Sequence, residues 1–581
     1  MPPSLAASHR ARPRGRAAAA SLTAGTIALT LLLSGIPYAA RPAAGADTAV
    51  RYATLSTKAA RTVADREIHA AQLRDYLTFI ASDELEGRDT PSRGLDIAAR
   101  YIASHLSRWG AKPAGDDGTF FQKMTLVRRG IDTEKSTASL GGKTLRYGED
   151  FVIVSGRTAV ESAPLVFAGH GWVVKSKNID PYQGVDVKGK LILVTSSAFG
   201  TPPGIRRNEL PRNGQGSDWM MPEQYAAKNG ALGVVRLTTD ADAFRQTAGF
   251  MTRRNQGFVP VKAGDAAAAA PSGAAEAQPV SVSVAPTVLD ALFAGESLTP
   301  DAVRASAQSA DVKGFALSDA KRLSVSPVVS EEKATTQNVV AIVEGSDPVL
   351  KNEYVALGAH YDHVGTTNSP GPDGDRIFNG ADDDGSGTVA LMAIAEALAR
   401  NPKERPKRSV LFVWHCGEEH GLWGSEYFTD NPTVPLKNIV TQINLDMIGR
   451  SRKEGDTNPR NANLSGPNGI FVIGSKMLST QLGELTAKTN REYLNVDFDY
   501  RYDDPNDPNR FYYRSDHYNY AKKGIPIVFF FDGVHEDYHR QGDEVDKIDF
   551  DKMTKVTRTV LLTTVEVANL PSRPVVDGKS N

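Results

Sequence analysis

The sequence predicts an α/β fold: an α/β/α sandwich around a mixed, mostly parallel sheet, with a β-rich module inserted into it. Three observations carry this expectation. Between about residues 335 and 570, short apolar runs (NVVAIVEG, YVALGAH, SVLFVWH, QINLDM, PIVFFF) recur without polar alternation, the pattern of strands buried on both faces. A stretch with the look of a helix, TVALMAIAEALAR, lies among them and opens after Gly385-Ser386-Gly387. From about 157 to 318 the character changes to short β-like runs punctuated by Gly and Pro.

Taken in order, residues 1–46 read as a signal peptide. His9, Arg10, Arg12, Arg14 and Arg16 precede the apolar stretch Ala17 to Leu33, and Ala44-Gly45-Ala46 offers a small-residue cleavage site before Asp47. An uncleaved anchor is the competing reading, but Ser, Thr and Gly interrupt the run. No cysteine closely follows it, so a lipid-anchor site is absent. Export to periplasm, cell surface or medium is expected, with no stable membrane insertion once the signal is removed. Residues 68–156 form the N-terminal part of the main domain. AAQLRDYLTFIAS and LDIAARYIASHLSRWG carry apolar residues at helical spacing. The polar loop between them, DELEGRDTPSRG, is either a surface connection or a rim of the cleft. Residues 157–318 form the inserted module (APLVFAGHGWVV, GKLILVTSS, ALGVVRL), within which 263–279 is Ala/Pro-rich and low in complexity. Residues 319–570 form the C-terminal part of the main domain.

Composition narrows the function classes. The chain of 581 residues is 40% hydrophobic and 23% charged, as in globular proteins. A formal net charge of -1 and no basic stripe argue against nucleic acid or an anionic membrane as partner. Cys416 is the only cysteine, which excludes an intramolecular disulfide. It ends an apolar strand and reads as a small buried side chain rather than a nucleophile.

The chemistry concentrates at the ends of the strand-like runs: His360 in LGAHYDH, Asp383 in NGADDDGSG, Glu419 in WHCGEEHG, Asp446 in INLDMIG and His539 in EDYHRQGD. Two imidazoles and three carboxylates suit a pair of zinc ions with one carboxylate shared. In open α/β sheets ligands gather beyond the carboxyl ends of strands, which is where His360, Glu419 and Asp446 fall. Asp362 follows His360 by two residues and can brace it, while His363 reads as structural. Asp382, Asp383 and Asp384 are consecutive, and spacing alone does not choose among them. Glu418 beside Glu419 provides one ligand and one base. The order H-C-G-E-E-H from His415 to His420 matches neither zincin pattern. Near His539, Tyr538 could donate a hydrogen bond and Asp543 could orient the ring.

At these residues the chain resembles the co-catalytic zinc aminopeptidase family, whose fold is shared with glutamate carboxypeptidase and the transferrin receptor. The matching blocks are LGAHYDHVG, NGADDDGSGTVALMAIAEAL, FVWHCGEEHGLWGSEYF, INLDMIG, SDHYNYAKKGIPIVFFF and DYHRQGDEVDKID, with SDELEGRDT upstream. The insert resembles a protease-associated domain through VFAGHGW, DVKGKLILV and AAKNGALGVV. The resemblance implies that Asp383 bridges two zinc ions, one also held by His360 and Asp446, the other by Glu419 and His539. It makes Glu418 the general base, Tyr538 an oxyanion-stabilising residue and Asp362 a support for the metal site. His420 and Gln541 depart from the family pattern without touching a ligand position.

The expected activity is release of N-terminal amino acids from peptides by a metal-activated water, with Glu418 moving the proton. A carboxypeptidase or dipeptidase on the same scaffold would need a cationic clamp, for which Arg450, Arg452, Arg510 and Arg514 are sources. A glutaminyl-cyclase-like acyl transferase would work with one zinc. A non-catalytic binding protein would be expected to have lost ligands, and all five are present.

Overall fold

The computed structural model describes residues 52–578 apart from 196–199, 211, 255–256, 262–278, 310–311, 372 and 402. The expected signal peptide and nearly all of the Ala/Pro-rich segment lie outside the described residues. No described helix is long and apolar enough to cross a membrane.

Three helices open the described chain: α1 (Thr57–Glu67), α2 (Ala70–Ile80) and α3 (Arg93–Trp109). On α3, Leu95, Ala98, Ala99, Ile102 and Leu106 are buried, the stripe expected of a helix lying on a sheet. The Ser92 hydroxyl accepts from the Leu95 amide at its start, and Gly110 ends it at φ 83°, left-handed.

The main sheet is built from β1 (Phe121–Ile131), β2 (Val329–Val343), β3 (Tyr354–His360), β4 (Ser409–His415), β5 (Ile439–Leu445), β6 (Gly469–Ile473) and β7 (Ile527–Phe531). Their spatial order is β1-β2-β4-β3-β5-β7-β6, with residues 259–260 and 497–499 on the two edges. The central four, β4, β3, β5 and β7, are parallel. β2 runs antiparallel to β4 and β1, and β6 antiparallel to β7. The sheet is therefore mixed with a parallel centre.

Alternate residues of each central strand enter opposite cores, which is why these strands read as unbroken apolar runs. Val355, Leu357, Phe412, Trp414 and Ile443 pack with α1 to α3 and with α4 (Gly387–Ala399), α6 (Thr480–Arg491) and α7 (Phe550–Asn569). Ala356, Leu411, Val413, Phe529 and Phe531 face the other way, against Phe428 of α5 (Trp423–Asp430) and Tyr520. Every residue of α4 is buried, since it lies between the sheet and other helices.

β1 and β2 pair over eleven residues, from Val339↔Phe121 to Val329↔Ile131. This ribbon carries the chain to a second sheet, whose strands come from residues 137–326. Its order is 143–145, 137–140, 322–326, 160–167, 191–194, 233–237, 280–284, 151–155, with 315–316 alongside 160–167. It has its own apolar core, including Phe151, Phe167, Leu191, Val235, Val282 and Phe293. Residues 137–155 lie in this sheet, whereas the sequence reading placed them with the N-terminal part of the main domain.

The parallel strands bring their carboxyl ends to one side. His360 ends β3, His415 ends β4, Asp446 follows β5, and β7 leads into the loop carrying Tyr538 and His539.

Candidate metal centre

The turn Ala381–Ser386 between β3 and α4 holds three aspartates with three different fates. Asp382 accepts from the Gly449 amide (2.7 Å) and meets His535 Nε2 at 3.3 Å. Asp384 accepts from the amides of His360 (3.0 Å), Gly387 (2.9 Å) and Met447 (3.1 Å), tying β3, α4 and the end of β5 together. Gly387 is needed there: a Cβ would lie 2.4 Å from Asp384 Oδ1 and from the Leu445 carbonyl. Asp383 alone sets its two oxygens against both expected imidazole ligands. Oδ1 is 3.2 Å from His360 Nε2, and Oδ2 is 3.1 Å from His539 Nε2.

The other donors close around this carboxylate. Asp446 Oδ1 is 3.5 Å from His360 Nε2, and Glu419 Oε2 is 3.0 Å from His539 Nε2. Two ligands bonded at 2.0–2.1 Å to one tetrahedral zinc stand ~3.3 Å apart, so these separations match edges of two coordination tetrahedra. Asp383 Oδ2 is buried without a hydrogen-bond partner, because the His539 contact is close but not aligned as a hydrogen bond. Donors that crowd one another without pointing at one another, all but His539 largely buried, suit a shared cation. The residues present thus fit two divalent ions, one among His360, Asp383 and Asp446, the other among Asp383, Glu419 and His539. Asp384 also lies within reach of the first group and His363 of the second. Asp384 has its oxygens on backbone amides, while His363 Nδ1 stands 2.8 Å from Glu419 Oε1.

Electrostatics supports the same reading. Burial disfavours charge on Asp383, yet contacts with His360 and His539 hold its pKa well below the usual carboxylate range. Burial likewise opposes a charged His539, but Asp383 and Glu419 outweigh it and push the ring up to about 10. Burial raises Asp446. The pocket is rich in anionic groups that draw positive charge to the imidazoles, and divalent cations satisfy the same demand.

Glu418 is mostly covered, its side chain 10% exposed toward the cleft, and its Oε2 lies 3.8 Å from His360 Nε2. Burial raises its pKa well above the ordinary value, with Glu419 and Asp446 adding to the rise and His360 opposing it. Its amide donates to Asp362 Oδ1 (3.2 Å), while His360 Nδ1 lies 3.2 Å from the Asp362 carbonyl and 3.7 Å from its carboxylate. Asp362 therefore braces both the His360 ring and the Glu418 backbone. Tyr538 stacks on His539 with centroids 3.9 Å apart, and its hydroxyl is 3.3 Å from an Arg514 NH2. Burial, then Asp383 and Glu419, raises the phenol, so it stays a hydrogen-bond donor. Asp383, Glu418, Asp446 and Tyr538 open onto a cleft walled by Met447, Phe511, Phe529, Phe531 and Val534, with Arg514 and Ser515 beside them.

The expected ligands His360, Asp383, Glu419, Asp446 and His539 thus come together, with Glu418, Tyr538 and Asp362 next to them. Asp543 does not orient His539. Its carboxylate accepts the amides of Asp382 and Asp383 (3.0 and 3.1 Å), supporting the bridging position from behind. His415 turns away from the centre, between Asp516 (3.3 Å) and the Tyr520 hydroxyl (3.0 Å). His420 pairs with Asp89 at 2.7 Å and stacks on Trp423. Burial raises the Cys416 thiol, as for an inert core cysteine. Of the four arginines considered as clamps, Arg514 lines the cleft, while Arg450 is held by Asp537 (2.9 Å). Sequence reasoning missed the proximity of His363 to Glu419, although its place three residues after His360 was a signal.

Comparison with known proteins adds a family. Residues 338–564 match Peptidase family M28. The chain is 28% identical over 274 residues to "Leucine aminopeptidase 2" of Arthroderma otae, an alignment covering 42% of this chain and 48% of that protein. It is 29% identical over 275 residues to a "Probable zinc metalloprotease" of Pyrenophora teres f. teres, covering 41% and 53%. The chain thus spans about half the length of the curated relatives it matches. Among solved structures, an aminopeptidase from Aneurinibacillus sp. strain AM-1 aligns over 90% of this chain and 98% of its own at 18% identity and a TM-score of 0.43. All five clustered donors and Glu418 fall within 338–564, the part of the chain that matches Peptidase family M28.

Proposed function

We propose that this chain is an exported di-zinc metallopeptidase that releases N-terminal amino acids from peptides. The observation that carries the reading is the position of Asp383, one oxygen against His360 and the other against His539. His360, Asp383 and Asp446 would hold one zinc, and Asp383, Glu419 and His539 the other. Bound there, the metals would supply Lewis acidity toward water and the scissile carbonyl. Glu418, whose side chain lies 3.8 Å from His360 Nε2 and lines the cleft, takes the proton from the attacking water and returns it to the leaving amine. The neutral Tyr538 hydroxyl donates to the developing oxyanion, with Arg514 alongside. Met447, Phe511, Phe529, Phe531 and Val534 shield the cleft from water and accept an apolar side chain. The names of the relatives, leucine aminopeptidase and zinc metalloprotease, support the same class of reaction. Export rests on the sequence pattern of residues 1–46.

A second reading has one specific observation in its favour. Arg514 stands exposed at the cleft mouth, where it could hold a substrate carboxylate, as a carboxypeptidase or dipeptidase requires. Hydrolysis of one peptide with a free N-terminus and of its N-acetylated form separates the two. Cleavage of the free peptide alone, one residue at a time, is expected. Cleavage of the acetylated peptide would overturn the aminopeptidase assignment.

A further inference from the structure

The polar loop DELEGRDTPSRG, left open by sequence reasoning between surface connection and cleft rim, contains a fully buried arginine. The Arg88 guanidinium makes four hydrogen bonds, all to backbone carbonyls. Nε donates to Tyr361 (2.9 Å), one NH1 to both Ile80 (2.5 Å) and Asn379 (2.7 Å), and NH2 to Gly380 (3.0 Å). These acceptors belong to three segments: the end of α2, the residue after His360, and the two residues before the aspartate turn. Arg88 returns a further tie through its own carbonyl, which accepts the His363 amide (3.2 Å), while Gly87 accepts that of Gly365 (3.1 Å).

The local backbone is shaped for this one side chain. Glu86, Gly87 and Arg88 all have positive φ, at 48°, 68° and 49°, a conformation that non-glycine residues hold only when their surroundings require it. Gly87 has no alternative, since a Cβ there would lie 2.3 Å from the Gly365 carbonyl and 2.6 Å from that of Phe378. Burial lowers the Arg88 pKa to about 10, with Asp362, Asp543, Asp383 and Asp384 opposing the fall, so it stays cationic. None of these carboxylates accepts a hydrogen bond from it. Its charge faces the acidic donor set through space while its N–H groups fix main chain.

We propose that Arg88 is the positioning residue of the metal centre, joining the end of the strand that presents His360 to the turn that presents Asp383 and so setting the spacing between them. The inference rests on the metal-centre reading above. A lysine at 88 keeps the charge but offers three donors from one nitrogen in place of a planar fork, so it cannot span the same carbonyls.

The test titrates zinc into metal-free wild type, Arg88→Lys and Arg88→Met against a competing chelator, below the melting temperature of each. Near-UV circular dichroism confirms that the molecules titrated are folded. Wild type is expected to bind two equivalents. Arg88→Lys is expected to bind zinc 10- to 100-fold more weakly, the usual cost of losing a group that orients ligands. Arg88→Met is expected to be weaker still, and if it does not fold the lysine variant decides. Unchanged zinc affinity in folded Arg88→Lys, with only its melting temperature lowered, would make Arg88 a structural residue and overturn the proposal. Failure of wild type to bind zinc would instead overturn the metal-centre reading.

Discussion

Replacing Glu418 by Gln separates proton transfer from every other property of the site. Of the three carboxyl side chains at the mouth of the cleft, Asp383 and Asp446 approach His360 Nε2 at 3.2 and 3.5 Å, whereas Glu418 stands back at 3.8 Å. The contact that anchors position 418 is its backbone amide to Asp362, which glutamine retains. Glutamine keeps the shape but cannot accept and return a proton. Loss of a general base costs about 100- to 10,000-fold in rate, which at about 1.36 kcal/mol per decade is roughly 3 to 5 kcal/mol in the barrier. The fall is expected in kcat for an aminoacyl 4-nitroanilide, with zinc content unchanged by mass spectrometry. The metal-free variant is expected to be more stable than wild type near pH 8, because a carboxyl whose folded pKa is held above its unfolded value costs stability once the pH exceeds that unfolded value. Retention of more than a tenth of wild-type kcat would remove Glu418 from the base role. Loss of one zinc equivalent would show it to be a ligand.

Three further outcomes are expected. Tyr538→Phe removes one oxyanion donor and should lower kcat by roughly 100-fold with little change in KM, measured with the same substrate. Chelation should lower the melting temperature and added zinc restore it, since ligand at 100 times Kd contributes about 2.7 kcal/mol per site; an unchanged melting curve would contradict a metal-stabilised centre. Glu544, half-buried and near Asp375, Asp83 and Asp543, has its pKa pushed up to about 7, mainly by burial. A carboxyl whose folded pKa exceeds its unfolded value favours folding most when protonated, and that advantage is lost as pH rises through about 7. Glu544→Gln should therefore stabilise the protein at pH 8 and not at pH 4, read by thermal denaturation at both.

Much of the site was legible because its chemistry interrupts apolar strands. A histidine closing YVALGAH, or an aspartate after QINL, is costly unless something binds it, and parallel strands bring such ends together. The choice among Asp382, Asp383 and Asp384 was not legible from spacing. It depends on which amides engage the neighbours, and Gly449 and Met447 lie 67 and 63 residues away in sequence. Asp543 was misjudged because sequence proximity to His539 suggested a partner, whereas the chain returns it to the amides of Asp382 and Asp383. Arg88 looked like a loop residue because its carbonyl partners just before the aspartate turn are 291 and 292 positions distant. In the fold, the parallel centre followed from apolar runs. The short strands at 137–140 and 143–145 carry exposed polar residues and gave no such signal.

The most direct test of the account is anomalous diffraction at the zinc edge from crystals of the zinc-loaded protein. It predicts two peaks, one among His360, Asp383 and Asp446 and the other among Asp383, Glu419 and His539, with the Asp383 carboxylate touching both. A single peak, or a second ion held by His363 with His539 turned away, would contradict it.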